Sequence, residues 1–336
     1  MESVDAAVGA AVLSARELDR SKGCDVGNEH ALPQLDGEVF LTDGGIETDL
    51  IFRRGFDLPQ FASFVLHDDR AAEDVVRDYF RDYLRIGATM GHGLVLETLT
   101  WRASADWGAL LGYDATRLAD VNQRAAEFLL DLREREAGST VVVSGCIGPR
   151  GDAYSDLGSM HNDEAERYHQ TQVALLAASG VDLVSALTIT NTAEAIGIVR
   201  AARACDIPVV ISFTVEQDGA LPDGTQLGSA IAIVDAATEQ TPAYYMVNCA
   251  HPEHFIGALA GDDASLERIR GVRANASRKS HAELDESDEL DDGDPIEFGG
   301  QLAQLHARAP HINLLGGCCG TDHRHIEAIA RSCRVS

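Results

Sequence analysis

From residue 39 onward, short apolar runs rich in β-branched residues recur along the chain, at 39–42, 94–101, 140–147, 181–190, 208–215, 243–249, 269–275 and 312–316. Each is strand-sized, and most lack the strict alternation of a strand with one wet face, which suits strands buried on both sides. Between most of them apolar residues return every three or four positions, as over 74–86, 115–135, 163–179 and 192–205. That is the period of a helix with one buried face. A last helical pattern spans 321–330. Eight runs alternating with helices predict parallel strands joined by crossover helices, and so an α/β chain folded as a (β/α)8 TIM barrel. A doubly wound open sheet is the alternative, but its G-x-G-x-x-G turn after the first strand is missing. Residues 1–37 show no period and read as a poorly structured N-terminal arm; residues 38–333 form the single barrel domain.

Composition sharpens this picture in three ways. The 45% hydrophobic content supports a sizeable core, and no apolar run approaches the ~20 residues of a membrane-crossing helix. The 54 acidic residues outnumber 27 basic ones, a net charge of −27 with only Lys22 and Lys279 as lysines. Such a surface repels nucleic acid and anionic membranes, so neither is expected as a partner. It suits an ordinary soluble acidic enzyme or a protein of a high-salt cytoplasm, where salt screens carboxylate repulsion. The seven cysteines are not spaced as a disulfide framework, and the apolar patch at 6–13 lacks a basic leader. The expected setting is therefore the cytoplasm, with thiols free or metal-bound. The acidic run 285–294 reads as a solvated loop. No feature of the sequence speaks to oligomeric state.

In a barrel of this kind, chemistry sits at the carboxyl ends of the strands. Those ends deliver Asp43, Gly44 and Gly45; Glu97, Thr98 and Trp101; the Cys146 turn; Thr188 and Thr190; Asn248 and Cys249; Asn275; and the adjacent pair Cys318 and Cys319. Neighbouring cysteines seldom bridge each other. Strands six and eight lie two apart around a closed ring, so Cys249 can approach the pair. Three thiolates there suit zinc and leave one position open, as catalytic zinc sites do. The competing reading makes Cys249 a small buried hydrophobe and the pair a tight packing corner. Cys146 ranks below these three, and Cys24, Cys205 and Cys333 read as bystanders. His323 and His325 begin a helix pattern and read as capping or surface groups.

Several stretches share one resemblance. "TDGGIETDL", "LETLTWRAS", "GCIGP", "VNCAHP" and "LLGGCCGTDHRHI" together resemble the homocysteine S-methyltransferase family, over roughly residues 38–330. The resemblance implies the barrel, Zn2+ on Cys249, Cys318 and Cys319, and methyl transfer to a thiol. The expected acceptor is homocysteine, giving methionine, and the expected donor is a small onium compound of the S-methylmethionine or betaine type. Substrate contacts are expected from Asp43, Gly44, Glu47, Glu97, Trp101, Asn248 and Asn275. One departure stands out. Where many members carry a strand-four Glu that helps hold the substrate ammonium, this chain has Leu187 in "VSALTITNTAEA". Glu47 and Glu97 are additional acids near strand ends, and either is expected to replace the lost charge. Trp101 either faces a cationic donor or packs in the wall. Two other functions fit the fold: a metal-dependent hydrolase, which the lack of paired histidines at strand ends disfavours, and a non-catalytic zinc- or thiol-binding barrel.

Overall fold

The structure, a computed structural model, describes residues 32–152, 160–259, 263–280, 283–284, 287 and 289–333. Eight strands, β1 Phe40–Thr42, β2 Gly93–Glu97, β3 Val141–Ile147, β4 Leu183–Ile189, β5 Val209–Phe213, β6 Tyr244–Asn248, β7 Ile269–Ala274 and β8 Leu314–Gly317, close into one barrel in sequence order. All pairings are parallel, and the ring shuts where Phe40 lies opposite Leu314 and Leu41 opposite Leu315. The helices around it are α1 Arg70–Met90, α2 Ala105–Leu110, α3 Ala115–Glu136, α4 Asn162–Ala178, α5 Thr192–Ala204, α6 Leu227–Thr238, α7 Pro252–Leu259, α8 Pro295–Arg308 and α9 His323–Ser332. The eight-stranded barrel expected from the alternating pattern is the observed one.

Local chemistry explains where the helices begin. Asp69, Asp114, Asn191 and Asp294 each accept a hydrogen bond from a backbone N–H in the first turn of α1, α3, α5 and α8. These are side chains that favour the N-cap position, where they satisfy amides left unpaired by the helix. At α9, Asp322 and His325 close a capping box, so His325 is the capping group the sequence suggested.

The core has two parts. A large cluster lies between strands and helices, with Leu41, Leu94, Val184, Ile211, Val247 and Leu315 among its strand residues. A smaller one fills the barrel floor with Phe40, Val95, Val142, Leu183, Val210, Tyr244, Met246 and Leu314. The end of the expected arm meets this floor. Leu32 and Leu35 pack against it, Gln34 Nε2 donates to the Tyr244 hydroxyl at 3.2 Å, and Asn313 Nδ2 donates to the Gln34 carbonyl at 2.8 Å. Residues 1–31 of the expected arm lie outside the described residues. With an apolar plug below, the polar interior of the barrel opens only toward the carboxyl ends. Among the described residues no helix is long and apolar enough to cross a membrane.

Candidate active site

Three thiols converge at the carboxyl rim. Cys249 follows β6, and Cys318 and Cys319 follow β8. Their Sγ atoms all lie within 4.8 Å of one another, with Cys249 and Cys319 at 3.6 Å, and none of the three is in a disulfide. A tetrahedral zinc with Zn–S bonds of about 2.3 Å sets its sulfurs about 3.8 Å apart. The donor set is all sulfur and the spacing matches, so the cluster fits a soft divalent ion. Among the described residues it is the only group of three or more His, Cys, Asp or Glu side chains placed to do so. The thiol of Cys318 is pulled well below its usual range by its hydrogen bonds with Cys249 and Cys319, while that of Cys319 is pushed up by its hydrogen bonds with Cys249 and Cys318.

Backbone and side chain both hold this cluster. Cys249 sits at φ 59°, a left-handed conformation unusual for a residue with a side chain. Its neighbour Asn248, fully buried, ties three strands together. Its Oδ1 accepts from the Thr188 N–H at 2.8 Å and from Ser212 Oγ at 2.7 Å; its Nδ2 donates to Thr188 Oγ1 at 2.9 Å and reaches Cys318 Sγ at 3.9 Å. Asn248 is thus a strut under the thiols. Glycine provides the remaining room. A Cβ on Gly45 would overlap the Cys318 carbonyl oxygen and come within 2.8 Å of its carbon. Gly45 has an ordinary φ of −81°, so close approach, not backbone freedom, requires it.

Beside the thiols lies a buried charge cluster that sequence reasoning missed in part. Arg273, on β7, is 4% exposed. Its Nη2 meets Asp43 Oδ1 at 2.9 Å and the Gly44 carbonyl at 3.3 Å, and its Nε reaches the Gly317 carbonyl at 3.3 Å. Its Nη1 lies 3.9 Å from Glu97 Oε1. The available signal was a charged residue inside the apolar run of β7. Burial raises the pKa of Asp43 against the pull of Arg273. Burial likewise pushes Glu47 up to about 7, although Ser63 Oγ donates to its Oε1 at 2.8 Å.

Glu97, 6% exposed, is also pushed up to about 7 by burial, with Arg273 pulling the other way. Its ordinary value is 4.5, so between the two the folded chain keeps a proton that the unfolded chain has lost. Stability therefore falls as pH climbs through that window. Glu97→Gln is expected to melt above the parent protein at pH 8, by a gap worth up to about 3 kcal/mol, and to lose that advantage below pH 4.5. Melts across pH check this; a variant less stable at pH 8 would mean that Arg273 requires an ionised Glu97.

A cavity of about 290 Å³ joins these groups, with Asp43, Gly44, Glu47, Glu97, Arg273 and the three thiols in its wall. Leu187 lines it where the strand-four carboxylate was missed, and Cys146 lines it too. Trp101 also faces it, its Nε1 donating to the Leu187 carbonyl at 3.2 Å. The Arg102 guanidinium stands 4.8 Å from the centre of the Trp101 ring, so one cation already occupies that ring. Phe52 and Phe61, 42% and 48% exposed, stand at the mouth. Asn275 is not in the wall; its N–H donates to the Ala250 carbonyl at 3.0 Å, pinning β7 to the Cys249 loop. The described residues of the acidic run 285–294, namely 287 and 289–294, are exposed or half-buried, as a solvated loop requires. Glu289, Leu290 and Asp291 line the cavity, held there as Ser277 Oγ donates to Asp291 Oδ2 at 2.7 Å. Cys205 and Cys333 stand away from the cavity wall, and Cys24 lies outside the described residues.

Comparison with known proteins places this geometry. The family model for homocysteine S-methyltransferase matches residues 40–333. The chain is similar to homocysteine S-methyltransferase 2 of Zea mays, 24% identical over 325 residues, covering 89% of this chain and 91% of that protein. It is similar also to the S-methylmethionine–homocysteine S-methyltransferase of Pongo abelii, 25% identical, covering 88% of this chain and 78% of that one. Its fold is similar to that of the homocysteine methyltransferase MmuM from Escherichia coli in its metallated form, with a TM-score of 0.70, 22% identity, and coverage of 91% of this chain and 99% of that one.

Proposed function

This chain belongs to the homocysteine S-methyltransferase family, and on that premise we propose that Cys249, Cys318 and Cys319 would hold a zinc ion at the place where the acceptor thiol meets a small onium donor. The reaction is methyl transfer to homocysteine, giving methionine. The observation that carries the zinc reading is the mutual approach of three Sγ atoms within 4.8 Å, none of them in a disulfide.

A free thiol has a pKa of about 8.5 and is a poor nucleophile while protonated. Zinc, when bound, favours the thiolate form of the acceptor at neutral pH. The rest is the work of the chain. Three cysteine thiolates keep the site electron-rich, which preserves the nucleophilicity of the acceptor sulfur. Asn248 and Gly45 fix where those thiolates stand, and position is worth several kcal/mol in a bimolecular transfer. The walls around Leu187 and Trp101 exclude water from the path of the methyl group. At the mouth, Asp152 and Glu289 beside Phe52 and Phe61 favour a cationic donor over an anionic one. A methyl-transfer assay across a panel of thiols and onium donors tests the whole reading; no transfer to homocysteine from any of them would sink it.

Glu47 is the group that reads the substrate ammonium in this proposal. Asp43 and Glu97 share Arg273, so their charge is partly answered, whereas Glu47, in the cavity wall, accepts from the Ser63 hydroxyl and has no ion-pair partner among the described residues. A buried ammonium needs an opposing charge. The parent enzyme is expected to prefer homocysteine over its des-amino analogue 4-mercaptobutyrate, Glu47→Gln to lose most of that preference, about 100-fold in kcat/KM, and Glu97→Gln to keep it. If Glu97→Gln alone loses it, the roles are exchanged.

A further inference from the structure

We propose that Arg273 is the carboxylate anchor of the acceptor site, its Nη1 taking the carboxylate of an amino-acid thiol. This rests on the reaction assigned above and adds a residue and a ligand group to it. The first support is an incomplete bonding pattern. Arg273 is buried in the cavity wall, and two of its nitrogens are committed: Nη2 to Asp43 Oδ1 and the Gly44 carbonyl, Nε to the Gly317 carbonyl. Nη1 has no hydrogen-bond partner, since Glu97 Oε1 at 3.9 Å is too far to accept. A buried donor left unpaired is costly and rare in folded proteins.

The second support is placement. β7 stands between β6 and β8, the strands that carry the thiols, and the Gly317 carbonyl that receives Nε immediately precedes Cys318. A molecule whose sulfur meets the thiol cluster thus has its far end beside β7. The third is chemistry. Nη1 brings two N–H donors and a share of the guanidinium charge, so a carboxylate oxygen there gains a charge-assisted hydrogen bond. Asp43 holds the guanidinium still, so little freedom is lost when a carboxylate arrives. Glu97 Oε2, also unpartnered and buried, leaves an acceptor in the same wall. The alternative role is charge balance alone, with Arg273 neutralising Asp43 and Glu97 and touching no substrate.

Binding separates the two roles without a methyl donor. Titration calorimetry on the zinc-loaded protein would compare homocysteine, 3-aminopropane-1-thiol, which lacks the carboxylate, and 4-mercaptobutyrate, which lacks the ammonium. The parent protein is expected to bind homocysteine at least about 100-fold tighter than 3-aminopropane-1-thiol. Arg273→Lys keeps a charge for Asp43 but loses the Nη1 donors. It is expected to shrink that ratio to under about 10 while leaving the ratio to 4-mercaptobutyrate unchanged. Equal loss of affinity for all three thiols in the variant would assign Arg273 to charge balance and overturn the proposal. Should Arg273→Lys fail to fold, the parent protein decides alone: similar affinities for homocysteine and 3-aminopropane-1-thiol, or no thiol binding at all, overturn it. Thiol binding with this selectivity but no methyl transfer would strike the reaction and leave the anchor standing.

Discussion

Cys318→Ala, prepared under reducing conditions, is expected to carry less than about a tenth of the zinc of the parent protein and to transfer methyl groups at least about 1,000-fold more slowly. The parent protein is expected to hold one zinc per chain. Two losses compound in the variant. The acceptor returns to its ordinary thiol pKa, and its sulfur is no longer held in line for attack. The remaining Cys249 and Cys319, 3.6 Å apart, offer only two thiolates. Because the ligands must be deprotonated, zinc affinity of the parent should also fall as pH drops. Metal analysis with a thermal melt decides the matter. Full zinc occupancy in a folded Cys318→Ala protein would show that the three thiols are not the ligands.

Gly45→Ala is expected to lower kcat by about 100-fold and weaken zinc binding, with the barrel intact, because a misplacement of roughly 1 Å at such a centre costs about that much. The added methyl would occupy space taken by the Cys318 peptide and approach Thr48 Oγ1 to 2.8 Å. Gly45 is further held by its N–H, which lies 3.1 Å from the Thr321 carbonyl and 3.2 Å from Thr321 Oγ1. Neither backbone can yield without moving a thiol. Gly300 makes the natural control. It lies in α8 with open space around it, so Ala there should add about 0.5–1 kcal/mol of stability and leave activity unchanged. Zinc content and kcat of Gly45→Ala equal to those of Gly300→Ala would show that the approach of Gly45 to Cys318 does not matter.

The eight strands were legible because barrel strands are buried on both faces, and their mostly apolar, β-branched runs stand out whatever packs on them. Their ends were less so. The run at 94–101 yields a strand only to Glu97, because the Thr100 N–H turns back to the Thr98 carbonyl at 2.8 Å. The three thiols could be grouped from strand order alone, since a closed ring dictates which ends are near. Arg273 could not be placed that way. Its partner Gly44 is 229 residues away, and nothing in "IRGVRANAS" says which arginine turns inward. Composition marks the run 285–294 as a wetted loop but does not say that part of it reaches the cavity. Asp291 stands over Gly320, its carbonyl oxygen 2.7 Å from where a Cβ on that glycine would lie.

The closure of β8 onto β1 also bears on how the protein is made. Cys249 and Cys319 are 70 residues apart, and Cys318 leans on Gly45, which is translated long before it. A chain that ends before β8 has an open sheet and only Cys249 of the three rim thiols. Such a fragment lacks two of the ligands that the proposed zinc site needs, so incomplete synthesis is expected to yield an inert product in place of a half-active one.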